Sequence, residues 1–119
     1  MEGRYRYEPV DRLTPEEIFE RRWALTLLGR ALGKLRAEFV ESGKAEEFDH
    51  LKGHLTGEEI KVPYREVATA LGTTEAAVRT SVHRLRQRFG KLLRQEVAET
   101  VAAPSEVEDE MRHLLRVIA

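Results

Sequence analysis

The chain has 119 residues, 41% hydrophobic and 34% charged, so one domain can bury roughly two-thirds of its unfolded surface without covalent staples. It contains no cysteine, which excludes disulfides, zinc–thiolate sites and thiol nucleophiles, and no apolar run approaches the ~20 residues of a membrane span. The net charge of −1 hides a segregation. Six basic residues stand against Glu75 alone between Thr74 and Arg94, whereas six acids face only Arg112 and Arg116 from Glu96 onward.

Residues 1–13 have no helical period and read as a linker or flexible N-terminus without a signal-peptide core, which points to the cytoplasm. Thr14, Pro15 and Glu17 then form a helix-start signal, a capping box with proline at the first helical position. Ile18, Leu25, Leu28, Leu32, Leu35 and Phe39 recur at helical spacing and predict one buried face on a helix over 15–41, stopped by Gly43. Trp23 and Phe19 are expected in the core, and Gly29 and Gly33 where a neighbouring helix packs closely.

A second amphipathic stretch, 45–55, places Phe48, Leu51 and Leu55 on one side and ends in the turn 56–59. Residues 60–62 are too few to assign, with an extended conformation the simplest reading. Pro63 opens a short helix over 64–70 that stops at Leu71-Gly72. A long helix starts behind Thr73 or Thr74 and runs through Arg94, as far as Thr100 at most. After Pro104, Ser105 and Glu108 read as another capping box, and Val107, Met111, Leu114, Leu115 and Ile118 line a last helix. The predicted fold is all-α, a compact bundle of about five helices containing a helix-turn-helix in one domain over 14–119.

The chemistry lies in residues 64–89. A helix-turn-helix needs small residues where its helices cross and a sharp turn between them. Ala68 supplies the small side chain, Gly72 the turn, and Leu71 and Val78 the apolar plug. Val78, Val82 and Leu85 face inward together, which leaves Glu75, Ala76, Arg79, Thr80, His83 and Arg84 outward on the half of the helix that enters a major groove in this geometry. Arg79 can donate two parallel bonds to guanine O6 and N7, and Glu75 can accept from cytosine. Thr80 and His83 suit bases or phosphates. Arg65, Thr73, Thr74, Arg84, Arg86 and Arg88 read as phosphate anchors, which position without specifying. The plain alternative is a solvated basic face, or a helix-turn-helix kept as a protein-binding scaffold.

Other constellations are weaker. His50 and His54 have metal-pair spacing, but no H-E-x-x-H accompanies them and no metal is expected. His83 and His113 read as surface residues, and Glu16 and Glu17 as capping residues. No Gly-rich phosphate loop and no nucleophile with its base can be assembled. The expectation is a protein that is not an enzyme and takes no cofactor or small-molecule substrate.

On LTPEEIFERRWALTLL at 13–28, YREVATALGTTEAAVRTSVHRLRQRF at 64–89 and the ending ETVAAPSEVEDEMRHLLRVIA, the chain resembles the promoter-binding C-terminal domain of an extracytoplasmic-function-type RNA polymerase sigma factor. The resemblance implies that the second helix of the helix-turn-helix reads the upstream promoter element of duplex DNA. It also implies docking on the flap of the polymerase β subunit, with a regulatory anti-sigma protein as a further partner. The base-facing positions then fall on Glu75, Ala76, Arg79, Thr80 and His83, the helix-start hydroxyl on Thr74, and the basic position after the histidine on Arg84. Thr73, Ala77 and Ser81 depart from the usual apolar residue, threonine and arginine, which is expected to weaken DNA affinity or shift its preference. The chain starts close to where the inter-domain linker of such factors stands, so it reads as a fragment of a longer factor or a free-standing domain that does not initiate transcription by itself. Two other readings stay open. One is a dimeric regulator paired through the first helix or the tail. The other is an interaction module that uses its acidic tail, 104–119, against a basic partner or to mask its own recognition helix.

Overall fold

Local signals in the sequence set where the chain turns. The structure, a computed structural model, describes residues 13–56 and 62–118. Among these are six α-helices, a 3₁₀ turn and no strand: α1 Pro15–Glu41, α2 Ala45–Leu51, α3 Gly53–Thr56, α4 Tyr64–Leu71, α5 Glu75–Ala98, the 3₁₀ turn Pro104–Glu106, and α6 Val107–Ile118. The all-α expectation holds, with one helix more than about five because 45–55 breaks at Lys52 into α2 and α3. The expected linker 1–13, except for Leu13, and most of the 56–62 connection lie outside the described residues.

Thr14 caps α1 by accepting the Glu17 N–H at 3.1 Å, and the Glu17 carboxylate accepts the Thr14 hydroxyl at 3.1 Å. At the other end Gly43 takes φ +73°, a left-handed conformation that costs a residue with a Cβ roughly 1–2 kcal/mol. The Lys44 N–H then reaches back to the Phe39 carbonyl at 2.7 Å and the Gly43 N–H to that of Val40 at 3.0 Å. The same device ends α4. With Gly72 at φ +67°, the Thr73 N–H bonds the Ala68 carbonyl at 2.9 Å.

The core lies along α1 and α5, with α2, α4 and α6 closing it. From α1 it takes Ala24, Leu27, Ala31 and Leu35, all at most 2% exposed. That corrects the expected stripe. Leu35 belongs to it and Leu28, Leu32 and Phe39 flank it, but Ile18 and Leu25 are exposed, as is Phe19. The face turned inward is the one that carries the two alanines, Ala24 and Ala31, both 0% exposed. Trp23 is half-buried against the His113 ring, 5.8 Å between centroids. Gly29 and Gly33 are exposed, and a Cβ built on either meets nothing within 4 Å, so they serve no close packing.

Two ion pairs tie α1 to α5. Lys34 bonds the buried carboxylate of Glu96, which raises the lysine pKa, chiefly through that hydrogen bond. Arg88 grips Glu38 through Nε and Nη2 at 2.9 and 2.5 Å, which lowers the glutamate pKa and raises that of the arginine. Their order, 34 with 96 and 38 with 88, means that the two helices run in opposite directions.

The last helix departs from its expected start. Glu106, not Glu108, reaches back, accepting the N–H groups of Ala102 and Ala103 at 2.9 and 3.1 Å. Glu108 instead pairs with Arg94. Met111 and Leu114 are buried, Val107 and Val117 partly so, while Leu115 and Ile118 face outward. No helix among the described residues is long and apolar enough to cross a membrane.

Candidate nucleic-acid interface

Helices α4 and α5 pack on each other across the three residues Gly72, Thr73 and Thr74. Val67 and Ala68 of α4 meet Val78, Val82 and Leu85 of α5 in the core, with Leu71 half-buried at the angle between them. This is the packing expected from the small residue, the glycine and the apolar plug. Thr74 is the N-cap of α5, its hydroxyl oxygen accepting the Ala77 N–H at 3.1 Å. Its own O–H proton remains available to an outside acceptor.

With Val78, Val82 and Leu85 inside, the first turns of α5 present Glu75, Ala76, Arg79, Thr80, His83 and Arg84 to solvent, every one of them exposed. The structure thus brings the six expected base-facing and flanking residues onto one stretch of helix surface. The Thr80 hydroxyl donates to the Ala76 carbonyl at 3.2 Å, so it meets a ligand best as an acceptor. Arg65 is exposed on α4, and neither it nor Arg84 has an ion-pair partner among the described residues.

Three other cations have intramolecular occupations that charge counting did not anticipate. Arg86 donates Nε and Nη2 to the His54 carbonyl at 3.3 and 3.1 Å. Arg88 is held by Glu38, and Arg94 by Glu108. As phosphate anchors, Arg86 and Arg88 would first have to leave these partners. The partners lie 32 and 50 residues away in sequence, so no local pattern discloses them.

No protein-family model, curated protein or solved structure matches the chain.

Thr73, Ala77 and Ser81 share one shallow notch, closed by Glu47 and Leu51 of α2 with Leu71 and Val78. All three therefore lie on the flank of the helix pair that turns toward α2, away from the stripe carrying Arg79. His50 and His54 do not converge on a common point. His50 faces Glu46 at 3.8 Å, while His54 is buried with Nε2 in hydrogen-bond contact with the Val62 carbonyl at 2.9 Å. Among the described residues no group of three metal-capable side chains is found.

The acidic tail does not lie on the reading stripe. α6 packs on α1 and on the far half of α5, with His113 3.6 Å from Glu20 and Glu108 on Arg94. Arg94 is the one basic residue of the 74–94 segment that an α6 carboxylate pairs with among the described residues. Sequence reasoning also missed Tyr64, whose ring lies beside Arg79. Its position at the head of α4, 15 residues before the arginine, gives no local signal.

Proposed function

We propose that this domain binds duplex DNA in a sequence-specific manner through the first half of α5, as the promoter-reading C-terminal domain of a cytoplasmic sigma factor. The observation that carries the reading is the single exposed stripe Glu75, Ala76, Arg79, Thr80, His83 and Arg84, on a capped helix whose opposite side is core. Arg79 reads guanine through two parallel donors, and Glu75 meets a cytosine amino group. Arg65, Arg84 and the Thr74 hydroxyl contact phosphates and fix the register.

The intramolecular pairs refine this mechanism. With Arg86, Arg88 and Arg94 engaged inside the domain, few cations are left to neutralise phosphates. The affinity of the domain alone for DNA should be low, with a shallow dependence on salt. A domain of that kind gains by being delivered to DNA by a larger assembly. This supports docking on the polymerase β flap over a stand-alone dimeric regulator, and a regulatory anti-sigma protein fits the same reading. Thr73, Ala77 and Ser81 adjust the flank toward α2 and leave the base-facing stripe unchanged.

Selection from a random duplex library at low salt, with Arg79→Ala in parallel, tests the proposal. The expected result is an asymmetric enriched motif. Arg79→Ala should cost about 1–3 kcal/mol of affinity and relax one or two base positions. A two-fold symmetric motif would favour the dimeric regulator, since half-site spacing mirrors protein symmetry. Salt-sensitive retention with no enrichment would sink base readout.

A further inference from the structure

Arg79 does not stand alone on its helix. Its guanidinium carbon lies 5.8 Å from the centroid of the Tyr64 ring, within the ~6 Å over which a cation is attracted to an aromatic face. Tyr64 is half-buried at the head of α4. The His54 ring packs against it with centroids 4.8 Å apart and planes tilted by 57°. His54 is itself fixed twice, by the contact of Nε2 with the Val62 carbonyl and by the two N–H groups that Arg86 gives its own carbonyl. Arg86 follows Arg79 by two turns on α5. The contacts therefore form a closed circuit, from Arg79 to Tyr64, to His54, to Arg86 and back into the helix that carries Arg79.

We propose that Tyr64 is a positioning residue for Arg79, holding the guanidinium in the orientation from which it reads guanine while His54 and Arg86 fix the ring. The inference rests on the DNA reading above and adds to it a side chain that touches no base. An unsupported arginine samples many rotamers and loses that freedom when it binds, whereas one resting on a ring has lost part of it beforehand. The Arg79 guanidinium makes no hydrogen bond or ion pair among the described residues, so its N–H donors stay free for O6 and N7 of a guanine. Arg86, counted from charge alone as a phosphate anchor, thereby takes an internal task instead.

The test uses the full chain and a pair of duplexes carrying the selected motif, one with guanine and one with adenine at the position that depends on Arg79. Tyr64→Phe keeps the ring and should keep the discrimination. Tyr64→Leu should lower the preference for guanine about two- to fivefold and leave affinity for unrelated duplex and its salt slope unchanged. In an Arg79→Ala background, Tyr64→Leu should cause no further loss, because the two act as one unit. In the free protein the Arg79 side-chain protons should show an upfield ring-current shift in the NMR spectrum, absent in Tyr64→Leu.

Full discrimination in Tyr64→Leu would overturn the proposal. So would an equal loss in the Arg79→Ala background, which marks a merely structural role. If Tyr64→Leu does not fold, Tyr64→Phe and the wild-type shift decide, since a protein without that shift has no brace. Failure of the DNA reading is separately visible. A wild-type chain with no preference between the two duplexes ends both ideas before any variant is made.

Discussion

In the first turns of α5, Arg79 and Arg84 stand on an exposed stripe, Arg79 against the Tyr64 ring and Arg84 with no ion-pair partner among the described residues. From Arg86 onward, the arginines of the same helix are held by the His54 carbonyl, by Glu38 and by Glu108. In the sequence these cations form a single run from Arg79 to Arg94. What separates them is the company other elements bring, since α1 and α6 present carboxylates to the far half and none of the described ones to the near half. A run of basic residues is thus two different objects, a surface open to an outside polyanion and a set of internal fasteners.

The sharpest way to break that comparison is to remove the packing under the far half. Leu92 is 3% exposed, and Leu92→Ala should cost about 2–5 kcal/mol of stability, read as a lowered midpoint in thermal or urea unfolding. The next effect separates two arginines. Arg84→Ala should weaken binding to all duplexes alike and reduce the salt slope by about one, with the melting temperature unchanged. Arg88→Ala should do the reverse, lowering the melting temperature and leaving the salt slope in place. Equal behaviour of the two in a salt titration would erase the division between surface and fastener.

The smallest effect is one of pH. The Arg88 hydrogen bonds hold the Glu38 carboxyl below the usual glutamate range. A group whose pKa falls on folding stabilises the fold above its unfolded value, and that contribution is lost as pH drops through the folded value. The advantage of wild type over Glu38→Gln in melting temperature should therefore be present at neutral pH and vanish in acid. Both side chains are over 40% exposed, so the difference should be modest and shrink in salt. An advantage that persists in acid would assign the effect to packing.

Most of the punctuation was legible in the sequence because it is local, the expected box of Ser105 with Glu108 being the exception. Thr14, Gly43, Gly72 and Thr74 act on neighbours within a turn or so, and each ends or starts a helix where its chemistry says. The inward set Val78, Val82 and Leu85 was legible for the same reason, since only one apolar stripe runs along that part of α5. On α1 two apolar stripes compete, and counting large residues chose one containing Ile18 and Leu25. The helix instead buries the stripe containing Ala24 and Ala31, on the side where α5 and α6 pack. Which stripe wins depends on a partner more than 40 residues away. The pairing of Lys34 with Glu96, 62 residues apart, is hidden for the same reason. So is the Tyr64 ring beside Arg79, since nothing near either residue announces the other.

Helix α5 runs from Glu75 to Ala98 without a break. At 1.5 Å per residue, Arg79 lies about 20 Å along the axis from Leu93, where α1 and α6 hold the far end. Such a shaft behaves as a lever. A tilt of a few degrees at the held end would swing the tip through roughly an ångström or more, while a hydrogen bond to a base edge tolerates only a few tenths. The aim of the guanidinium is therefore a property of the whole domain. On the proposed reading, the tail helix, packed on α1 and on the far half of α5, belongs to the sighting mechanism as much as the stripe it helps to point.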